Sequence, residues 1–296
     1  MSPRKRRGRS DIHGILLLDK PSGPTSFGVM RRLQRTLDVS KAGHGGTLDP
    51  MASGLLIMLV GEATKLTPWI QGKDKRYVAR ISFGSATDTL DAEGSVLKRA
   101  DVPPGFLEGA LAGALERFVG ERPQRPPKYS ALKVGGRSHM SRARAGEDFE
   151  VEERPAHCYS IELLRIEGDS ALLEVHVASG YYIRSLARDI GEELGLPSHL
   201  SALERTSVAG WTLQNAKRPE DIDLSDVIGI ADCLPEIPKV RLDEADALAI
   251  RQGKRLPASN SAPVSMALWP DGLPVAMVEL GEGGIWSVKR GFALGR

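Results

Sequence analysis

Two short runs of consecutive apolar residues constrain the fold of this chain. The longer, Leu55 to Val60, is far too short to cross a membrane, and it predicts a strand over 54–60 that is buried in the core. The other, Gly14 to Leu18, is followed by Lys20 and Pro21, which is typical of a buried strand that leaves the core through a turn. We therefore expect these two strands to lie in the core of the fold.

A glycine-rich loop directly precedes the longer run. Residues 43–54 contain four glycines together with His44, Asp49 and Pro50. Glycine lets other groups approach the backbone closely, and Pro50 restricts Asp49 to extended conformations, so the carboxylate is held in one direction. On these residues alone an ordinary surface turn is favoured, because glycine, aspartate and proline are also the commonest turn residues. The other interpretation is an active-site loop, and we adopt it because of the resemblance described below.

The remaining apolar patterns predict both helices and strands. Alternation of apolar and polar residues predicts strands at 77–83 and 173–177. Apolar side chains at four-residue spacing predict a helix that Ser26 caps and another that begins near Ile183. Further helices are expected at 62–70, 107–118 and 243–252.

The distribution of proline and charge indicates more than one structural unit. A chain of 296 residues can form one large domain and a small one, and the prolines at 235 and 238 mark a boundary between them. We predict a basic tail at 1–10, a main domain at 11–237 and a small β-barrel-like module at 238–296. Residues 121–151 hold five arginines and two lysines among few apolar residues, which favours a functional insertion.

Several motifs follow one another in the order found in a known enzyme family. They are Gly14-Ile15-Leu16-Leu17-Leu18-Asp19-Lys20-Pro21, Gly43-His44-Gly45-Gly46-Thr47-Leu48-Asp49-Pro50, Asp74-Lys75-Arg76-Tyr77, Thr87-Asp88-Thr89-Leu90-Asp91-Ala92-Glu93-Gly94, Pro127-Lys128-Tyr129-Ser130-Ala131-Leu132-Lys133 and Gly180-Tyr181-Tyr182-Ile183-Arg184. Through them the chain resembles the bacterial tRNA pseudouridine-55 synthases, the TruB family. It departs from the family pattern at Gly45, where Thr or Ser is usual, and at Met140, where an aromatic residue is expected.

The resemblance implies a fold and an activity. The fold is α+β, with a mixed, mainly antiparallel sheet, flanking helices, a basic RNA-binding insertion at about 121–151 and a C-terminal module similar to the RNA-binding PUA domain. The activity is isomerisation of the T-loop uridine, position 55 of tRNA, to pseudouridine by base flipping. Because no oxidation or group transfer is involved, no cofactor is expected, and the sequence carries neither a dinucleotide fingerprint nor a P-loop.

The resemblance also assigns site residues. Asp49 is the expected catalytic residue, as nucleophile or as base. Arg184 is the candidate cation that keeps Asp49 ionised, since an opposite charge lowers the pKa of a carboxylate. Tyr77, the third catalytic candidate, offers a ring to stack on the uracil and a hydroxyl for proton transfer. The expected substrate- and RNA-binding residues are Lys20, His44, Asp91, Lys133, Tyr182 and Leu203.

Three of these carry specific expectations. His44 is expected to brace the space that the flipped base vacates, Lys20 to lie at the pocket edge and Leu203 to line the pocket. In the insertion, further basic residues supply charge for RNA: Lys128, Arg137, Arg142 and Arg144.

Composition and charge limit the kinds of partner and the cellular compartment that we expect for this protein. The net charge of +2 is nearly balanced, but the first nine residues include five basic ones, which we expect to contact phosphate. Two separated cysteines and the lack of a signal-peptide core favour a cytoplasmic protein. Scattered histidines and an acidic segment at 88–93 that does not match an EF-hand indicate no metal site. We expect the tRNA T-arm as the partner of a monomer that needs no protein partner.

Three other functions fit part of the pattern. One is an RNA-binding or chaperone protein that keeps the fold without turnover, although intact Asp49, Tyr77 and Arg184 disfavour loss of catalysis. Another is a synthase that depends on a guide RNA; the basic insertion favours the stand-alone bacterial form instead. The third is a metal-dependent hydrolase that uses the acidic residues of 88–93.

Overall fold

The computed structural model describes residues 9, 11–130, 132–134, 136–145, 147 and 149–295. For residues 133, 134, 138, 140, 143 and 144 it describes the backbone alone. Most of the predicted basic tail and the side chains of Lys133, Met140 and Arg144 therefore lie outside the described part. Within that part, no helix is both long and apolar enough to cross a bilayer.

Strands dominate the secondary structure. In chain order they are β1 (Gly14–Lys20), β2 (Ala42–His44), β3 (Ser53–Val60), β4 (Lys75–Phe83), β5 (Ser85–Thr87), β6 (Val96–Arg99), β7 (Gly120–Gln124), β8 (Lys133–Val134), β9 (Arg137–Ser138), β10 (Arg154–Glu167), β11 (Ser170–Val177), β12 (Ser198–Val208), β13 (Trp211–Thr212), β14 (Ile228–Gly229), β15 (Lys239–Arg241), β16 (Leu256–Pro257), β17 (Val264–Leu268), β18 (Pro274–Gly281) and β19 (Ile285–Gly291).

Helices connect the strands. The α-helices are α1 (Ser26–Thr36), α2 (Thr67–Gln71), α3 (Phe106–Glu116), α4 (His139–Arg144), α5 (Ile183–Leu194) and α6 (Glu244–Arg251). Short 3-10 helices lie at Gly61–Leu66, Leu213–Asn215, Pro219–Asp221, Leu224–Asp226, Ile230–Asp232 and Glu282–Gly284.

The largest sheet among the described residues has ten strands. Its order is β14-β1-β3-β12-β4-β11-β10-β7, with β2 beside β3 and β13 beside β12. Its described pairs are antiparallel except for β12 with β3, where Arg205 lies opposite Gly54. A side chain at 54 would meet the Arg205 carbonyl oxygen at 2.5 Å, so only glycine permits this contact. The end of the glycine-rich loop is thereby joined to the centre of the sheet.

β1 and β3 are covered on both faces, which explains their continuous apolar sequence. On one face, residues such as Leu16 and Met58 form a cluster with the apolar faces of α1, α3 and α5. On the other face, Ile15, Leu17 and Ile57 belong to a second cluster. The apolar runs therefore occupy the centre of the molecule, as the sequence predicted.

The C-terminal residues form a second sheet that packs on this second face. Its five described strands run in the order β15-β17-β18-β19-β16. Met266 and Met277 from this sheet lie in the same cluster as Leu17 and Ile57 of the main sheet. The opposite side of the small sheet packs around the buried Trp286 and against α6. The two sheets thus share one apolar layer.

The predicted mixed α+β, mainly sheet architecture is confirmed, with two local corrections. Thr25 rather than Ser26 caps α1, because its hydroxyl accepts from Gly28 N at 3.0 Å while Ser26 is buried against the glycine-rich loop. The helix expected at 62–70 is divided into a 3-10 helix and α2. Pro68 in the first turn of α2 has no N–H to continue the preceding turns, which accounts for the division.

Candidate active site

The loop that carries Asp49 is fixed on both sides of that residue. The Ser26 hydroxyl donates to Leu48 O at 2.9 Å and accepts from Leu48 N at 2.8 Å. On the other side, Pro50 O accepts from Gly23 N at 2.8 Å. Asp49 is therefore held by its chain neighbours against the turn that precedes α1, as the glycine-rich sequence predicted.

Lys20 stabilises the same loop from inside the protein. Its side chain is fully buried, and Nζ donates to the carbonyl oxygens of Pro21, Pro24 and Pro50 at 2.9, 2.8 and 3.3 Å. Burial lowers the pKa of Lys20 to about 8. The side chain thus lies behind the loop rather than at the pocket edge, where we expected it.

Arg184 forms a two-point contact with Asp49. Its Nε lies 2.9 Å from Asp49 Oδ2, and its Nη2 donates to Oδ1 at 3.3 Å. Nη1 also donates to Thr89 O at 3.0 Å, and Nη2 donates to Tyr129 O at 2.9 Å. The guanidinium is therefore fixed by two other segments before any substrate is present.

Asp91 lies on the far side of the same guanidinium. Its Oδ2 is 3.4 Å from Arg184 Nη1, and its Oδ1 accepts from the Thr89 hydroxyl at 2.6 Å and from Glu93 N at 3.1 Å. Asp91 is buried, so it supports Arg184 instead of facing the pocket. Arg184 consequently bridges two carboxylates, of which Asp49 is the more exposed.

Two opposing effects act on the carboxylate of Asp49. Burial raises the pKa of Asp49 above its ordinary value, and the Arg184 charge and hydrogen bond pull it back. Arg184 thus acts in the expected direction, but burial is the larger effect. The carboxylate needs this arginine because a buried, unpaired anion would otherwise take up a proton.

Asp49 opens into a pocket of about 380 Å³. Its lining includes Tyr77, Tyr182 and Leu203, together with Tyr129 and Ser130 from the insertion. Tyr77 and Leu203 are almost fully buried, whereas Tyr182 is half-buried. The pocket lining therefore combines one carboxylate, two arginines and a lysine with aromatic and apolar side chains, which suits an aromatic heterocycle that carries polar edges.

Arg205 is an important residue that sequence reasoning missed. It is fully buried, with Nε donating to Leu55 O at 2.8 Å and Nη2 donating to Gly46 O at 3.2 Å. Burial raises the pKa of Tyr77, while the Arg205 charge and a hydrogen bond between the two side chains lower it. A signal existed, because Arg205 follows Leu203 by two positions in β12 and so shares its face.

Gln124 is the second residue that was missed. Its side chain accepts from Tyr182 N at 2.9 Å and donates to Tyr182 O at 3.1 Å. Tyr182 is the N-cap of α5 and has no capping hydrogen bond from its own side chain. Gln124 therefore fixes the start of the helix that carries Arg184, and the guanidinium of Arg154 covers the Tyr182 ring at 5.2 Å.

His44 lies beside this core of the site. It ends β2, opposite Met58, and its Nδ1 is buried without a hydrogen-bond partner in the described residues. Burial and then the Arg205 charge lower its pKa, which favours the neutral ring.

At the neighbouring Gly45, a Cβ would meet Ile70 Cγ2 at 2.4 Å. Ile70 thus occupies the space that a larger residue at 45 would need.

The structure places the predicted residues in three groups. Asp49, Tyr77, Arg184, Tyr182 and Leu203 line one pocket. Lys20, His44 and Asp91 lie around it without lining it, and the side chain of Lys133 is outside the described part. In that part, no three His, Cys, Asp or Glu side chains are arranged to hold a metal ion.

Comparisons with known proteins agree with this geometry. Residues 34–183 match the model of the TruB family pseudouridylate synthase (N terminal domain). A tRNA pseudouridine synthase B of Azoarcus sp. (strain BH72) is 41% identical over 272 residues, which are 89% of this chain and 90% of that protein. The protein of the same name from Bordetella avium (strain 197N) is 46% identical over 213 residues, 72% of this chain and 87% of that protein.

A solved structure shares the fold over nearly the whole chain. It is described as "Crystal Structure of a Cbf5-Nop10-Gar1 Complex", and the matching chain superposes with a TM-score of 0.73 at 27% identity. The match covers 95% of this chain and 85% of that one. The likeness therefore includes the C-terminal sheet as well as the pocket.

Proposed function

The chain belongs to the TruB family of pseudouridylate synthases, and on that premise we propose that it converts the T-loop uridine at position 55 of tRNA to pseudouridine. It is an isomerase that acts on uridine in tRNA. The relatives of the same function are bacterial proteins that match most of the chain. The position of the uridine and the roles of the individual residues are the proposal.

The observation that carries this proposal is the pairing of Asp49 with Arg184 at the floor of the pocket. Arg184 is held by Thr89 O and Tyr129 O as well as by Asp49, so its position does not depend on substrate. A guanidinium fixed in advance stabilises the anionic form of the carboxylate and needs no rearrangement during the reaction. Asp49 is thereby available as an ionised nucleophile or base.

Tyr77, Tyr182 and Leu203 provide the walls for a flipped uracil. A base inside a folded RNA arm has to leave its stack to reach a buried carboxylate, at a cost of a few kcal/mol. Stacking on aromatic side chains recovers about 1–3 kcal/mol per base, which is of the same order. We assign Tyr77 to one face of the uracil, Leu203 to the wall beside it, and Tyr182 to the mouth of the pocket.

The reaction is an exchange of bonds within one nucleotide. The bond from uracil N1 to ribose C1′ breaks, a bond from C5 to C1′ forms, C5 loses its proton and N1 gains one. Asp49 acts on the ribose or on the uracil ring in the first step, and we assign the proton transfer to the Tyr77 hydroxyl. No electrons are exchanged with another molecule, so the reaction needs no oxidant or reductant.

RNA binding outside the pocket is assigned to three regions. They are the basic tail at 1–10, the insertion at 121–151 and the C-terminal sheet, which we propose to be a PUA-like module. We further propose that Lys133 contacts RNA and that His44 braces the space that the flipped base vacates. We also propose that the protein acts on tRNA in the cytoplasm, as a monomer without a protein partner.

Two rival functions give different outcomes in one assay. A guide-dependent synthase would leave a T-arm hairpin unmodified unless another RNA and further proteins were added. A protein that only binds or remodels RNA would bind the hairpin without forming pseudouridine. Modification of the T-loop uridine by the purified protein alone would contradict both rivals.

The substitution Asp49→Asn tests the central assignment. Asparagine keeps the shape of the side chain and one carbonyl oxygen, but it removes the charge and with it both the nucleophile and the base. We expect the single-turnover rate to fall at least ~1000-fold, about 4 kcal/mol of barrier, while affinity for the hairpin stays within about tenfold. Rates are measured by pseudouridine mapping, and affinities by titration of labelled RNA.

Asp101→Asn provides the matched control, since Asp101 is an exposed carboxylate outside the site. It should leave both quantities unchanged. A preparation of Asp49→Asn that is folded, free of host enzyme and still active at a tenth of the parental rate would remove Asp49 from the catalytic role.

A further inference from the structure

Two arginines of the insertion share one carboxylate. Arg137 Nη1 lies 2.6 Å from Glu147 Oε1, and Arg142 Nε lies 3.0 Å from Glu147 Oε2. Each oxygen of Glu147 therefore receives one guanidinium, and Glu147 N donates to Arg142 O at 3.1 Å. The carboxylate occupies the place where two arginine side chains converge.

Apolar contacts hold one of these arginines in position. The guanidinium of Arg142 lies 4.1 Å from the centre of the Phe149 ring, which is itself buried. His139 packs against the same ring, with the two ring centres 5.1 Å apart. Arg142 would therefore keep its direction if the carboxylate moved away, whereas Arg137 is more than half exposed and free to adjust.

The cluster belongs to the segment that borders the active site. Tyr129, in the same insertion, accepts a hydrogen bond from Arg184, and Ser130 lines the pocket. Arginine binds phosphate as it binds carboxylate, through two N–H groups directed at two oxygens. A phosphate group presents the same pair of oxygens to Arg137 and Arg142 that Glu147 now presents.

We propose that Arg137 and Arg142 form a binding site for one phosphate of the RNA backbone, and that Glu147 occupies this site in the free protein. RNA binding then exchanges the carboxylate for a phosphate. The inference rests on the proposed function for the nature of the polyanion. It goes beyond that function, because it makes the affinity of the insertion for RNA depend on an acidic residue of the insertion itself.

This exchange predicts that RNA binds more tightly when Glu147 no longer holds the two arginines. Glu147→Gln keeps the size of the side chain but no longer holds the two guanidinium groups by charge. The dissociation constant for a T-arm hairpin should fall by about 3–10-fold, because the phosphate no longer has to displace two exposed arginine–carboxylate ion pairs, each of which is weak. The slope of log affinity against log salt should steepen by at most about 1, since the site neutralises one phosphate.

Two controls distinguish the release of Arg137 and Arg142 from the general effect of removing one negative charge. Glu150→Gln removes the same charge from the same segment. Glu150 takes part in none of the arginine ion pairs described for the structure. Glu167→Gln releases a comparable pair, since Glu167 bridges Arg80 and Arg165 on the outer side of the main sheet. Glu147→Gln should bind more tightly than either control. Equal or weaker binding would overturn the proposal.

A mutant cycle gives an independent test that does not need a gain in affinity. Arg137→Gln should weaken binding more in the Glu147→Gln background than in the parent, where Glu147 already holds Arg137. Equal losses in the two backgrounds would contradict the exchange. Each variant is first shown to have the parental melting temperature.

The source of the phosphate is decided by competition. At constant ionic strength, the gain of Glu147→Gln should shrink as inorganic phosphate is added, because the free anion and the RNA phosphate compete for the same two arginines. A variant that binds inorganic phosphate more tightly than the parent, but the hairpin no more tightly, would assign the site to a free anion and overturn the assignment to RNA. Binding is measured without turnover, so a failure here is distinct from a failure of the Asp49 experiment.

Discussion

At the scale of single residues, the pKa of Asp49 links the geometry of the pocket to the pH dependence of the reaction. The reaction needs the ionised carboxylate, so the rate falls as the pH drops through this pKa. Burial raises the pKa and Arg184 opposes the rise. The acidic limb of the rate profile should therefore lie above the ordinary range of an aspartate, and its position should depend on Arg184.

Substitution of Arg184 should move the acidic limb to higher pH. Arg184→Lys keeps a positive charge but cannot reproduce the two-point contact at 2.9 and 3.3 Å, so a small upward shift is expected. Arg184→Met leaves Asp49 beside the carboxylate of Asp91, and the upward shift should be larger than that of Arg184→Lys. Single-turnover rates over a pH series measure it, with Arg188→Lys on the same helix as control. Identical limbs in parent and Arg184→Met would refute the coupling.

The functional residues that were easiest to predict are those that lie in a sequence motif. Asp49 and Arg184 lie in motifs of the sequence, and the structure brings them into contact. Lys20 and Arg205 act through backbone carbonyl groups of distant segments, and carbonyl positions leave no trace in a sequence pattern. For this reason, Lys20 was expected at the pocket edge but lies behind the loop, and the hydrogen bonds of Arg205 were not foreseen, although its place two residues after Leu203 put it on the same face of β12.

At the scale of secondary structure, the start of α5 depends on a residue from another element. The periodicity of Ile183, Leu186 and Ile190 predicted this helix correctly. Tyr182 at its N-cap cannot satisfy the backbone there, and Gln124 at the end of β7 supplies both a donor and an acceptor. Such a cap between distant segments cannot be read from the local signals that mark most helix starts.

Removal of this cap should cost both stability and rate. Gln124 is buried, so Gln124→Ala leaves Tyr182 N without this acceptor, while Tyr182 O keeps its hydrogen bond from Leu186 N, and the free energy of unfolding should fall by about 1–3 kcal/mol. The single-turnover rate should fall as well, because Arg184 lies in the first turn of α5. Urea unfolding and single-turnover assays measure these effects, and Gln214→Ala at an exposed position is the control. Stability unchanged from that control would show that Gln124 does not fix the helix.

At the scale of the whole molecule, the sequence indicated two units but not how they are joined. The continuous apolar runs of β1 and β3 required a cover on each face of the sheet. The sequence predicted helices that could cover one face of the sheet. Nothing in the local pattern near Met266 or Met277 showed that the C-terminal sheet covers part of the other face. Side chains that alternate between two buried clusters are apolar at successive positions, so the pattern shows burial without showing the partner.

The shared apolar layer should make the two sheets unfold together. Met277 is fully buried between them, so Met277→Ala should lower the free energy of unfolding by about 2–5 kcal/mol. Tryptophan fluorescence can follow each sheet separately, because Trp69 and Trp211 pack in the layer on the main-sheet side, whereas Trp269 and Trp286 lie in the C-terminal cluster. Replacing one pair at a time with phenylalanine gives two reporters of the same urea transition.

Both reporters should show one midpoint, and Met277→Ala should shift both by the same amount. Val278→Ala is the matched comparison, since Val278 points to the opposite side of β18 and packs only within the C-terminal cluster. If the sheets are one cooperative unit, Val278→Ala also shifts the urea midpoint that Trp69 and Trp211 report, although Val278 belongs to the other cluster. A transition of Trp269 and Trp286 at lower urea, with Trp69 and Trp211 unmoved in both variants, would show that the C-terminal sheet is an independent unit that only rests on the catalytic one.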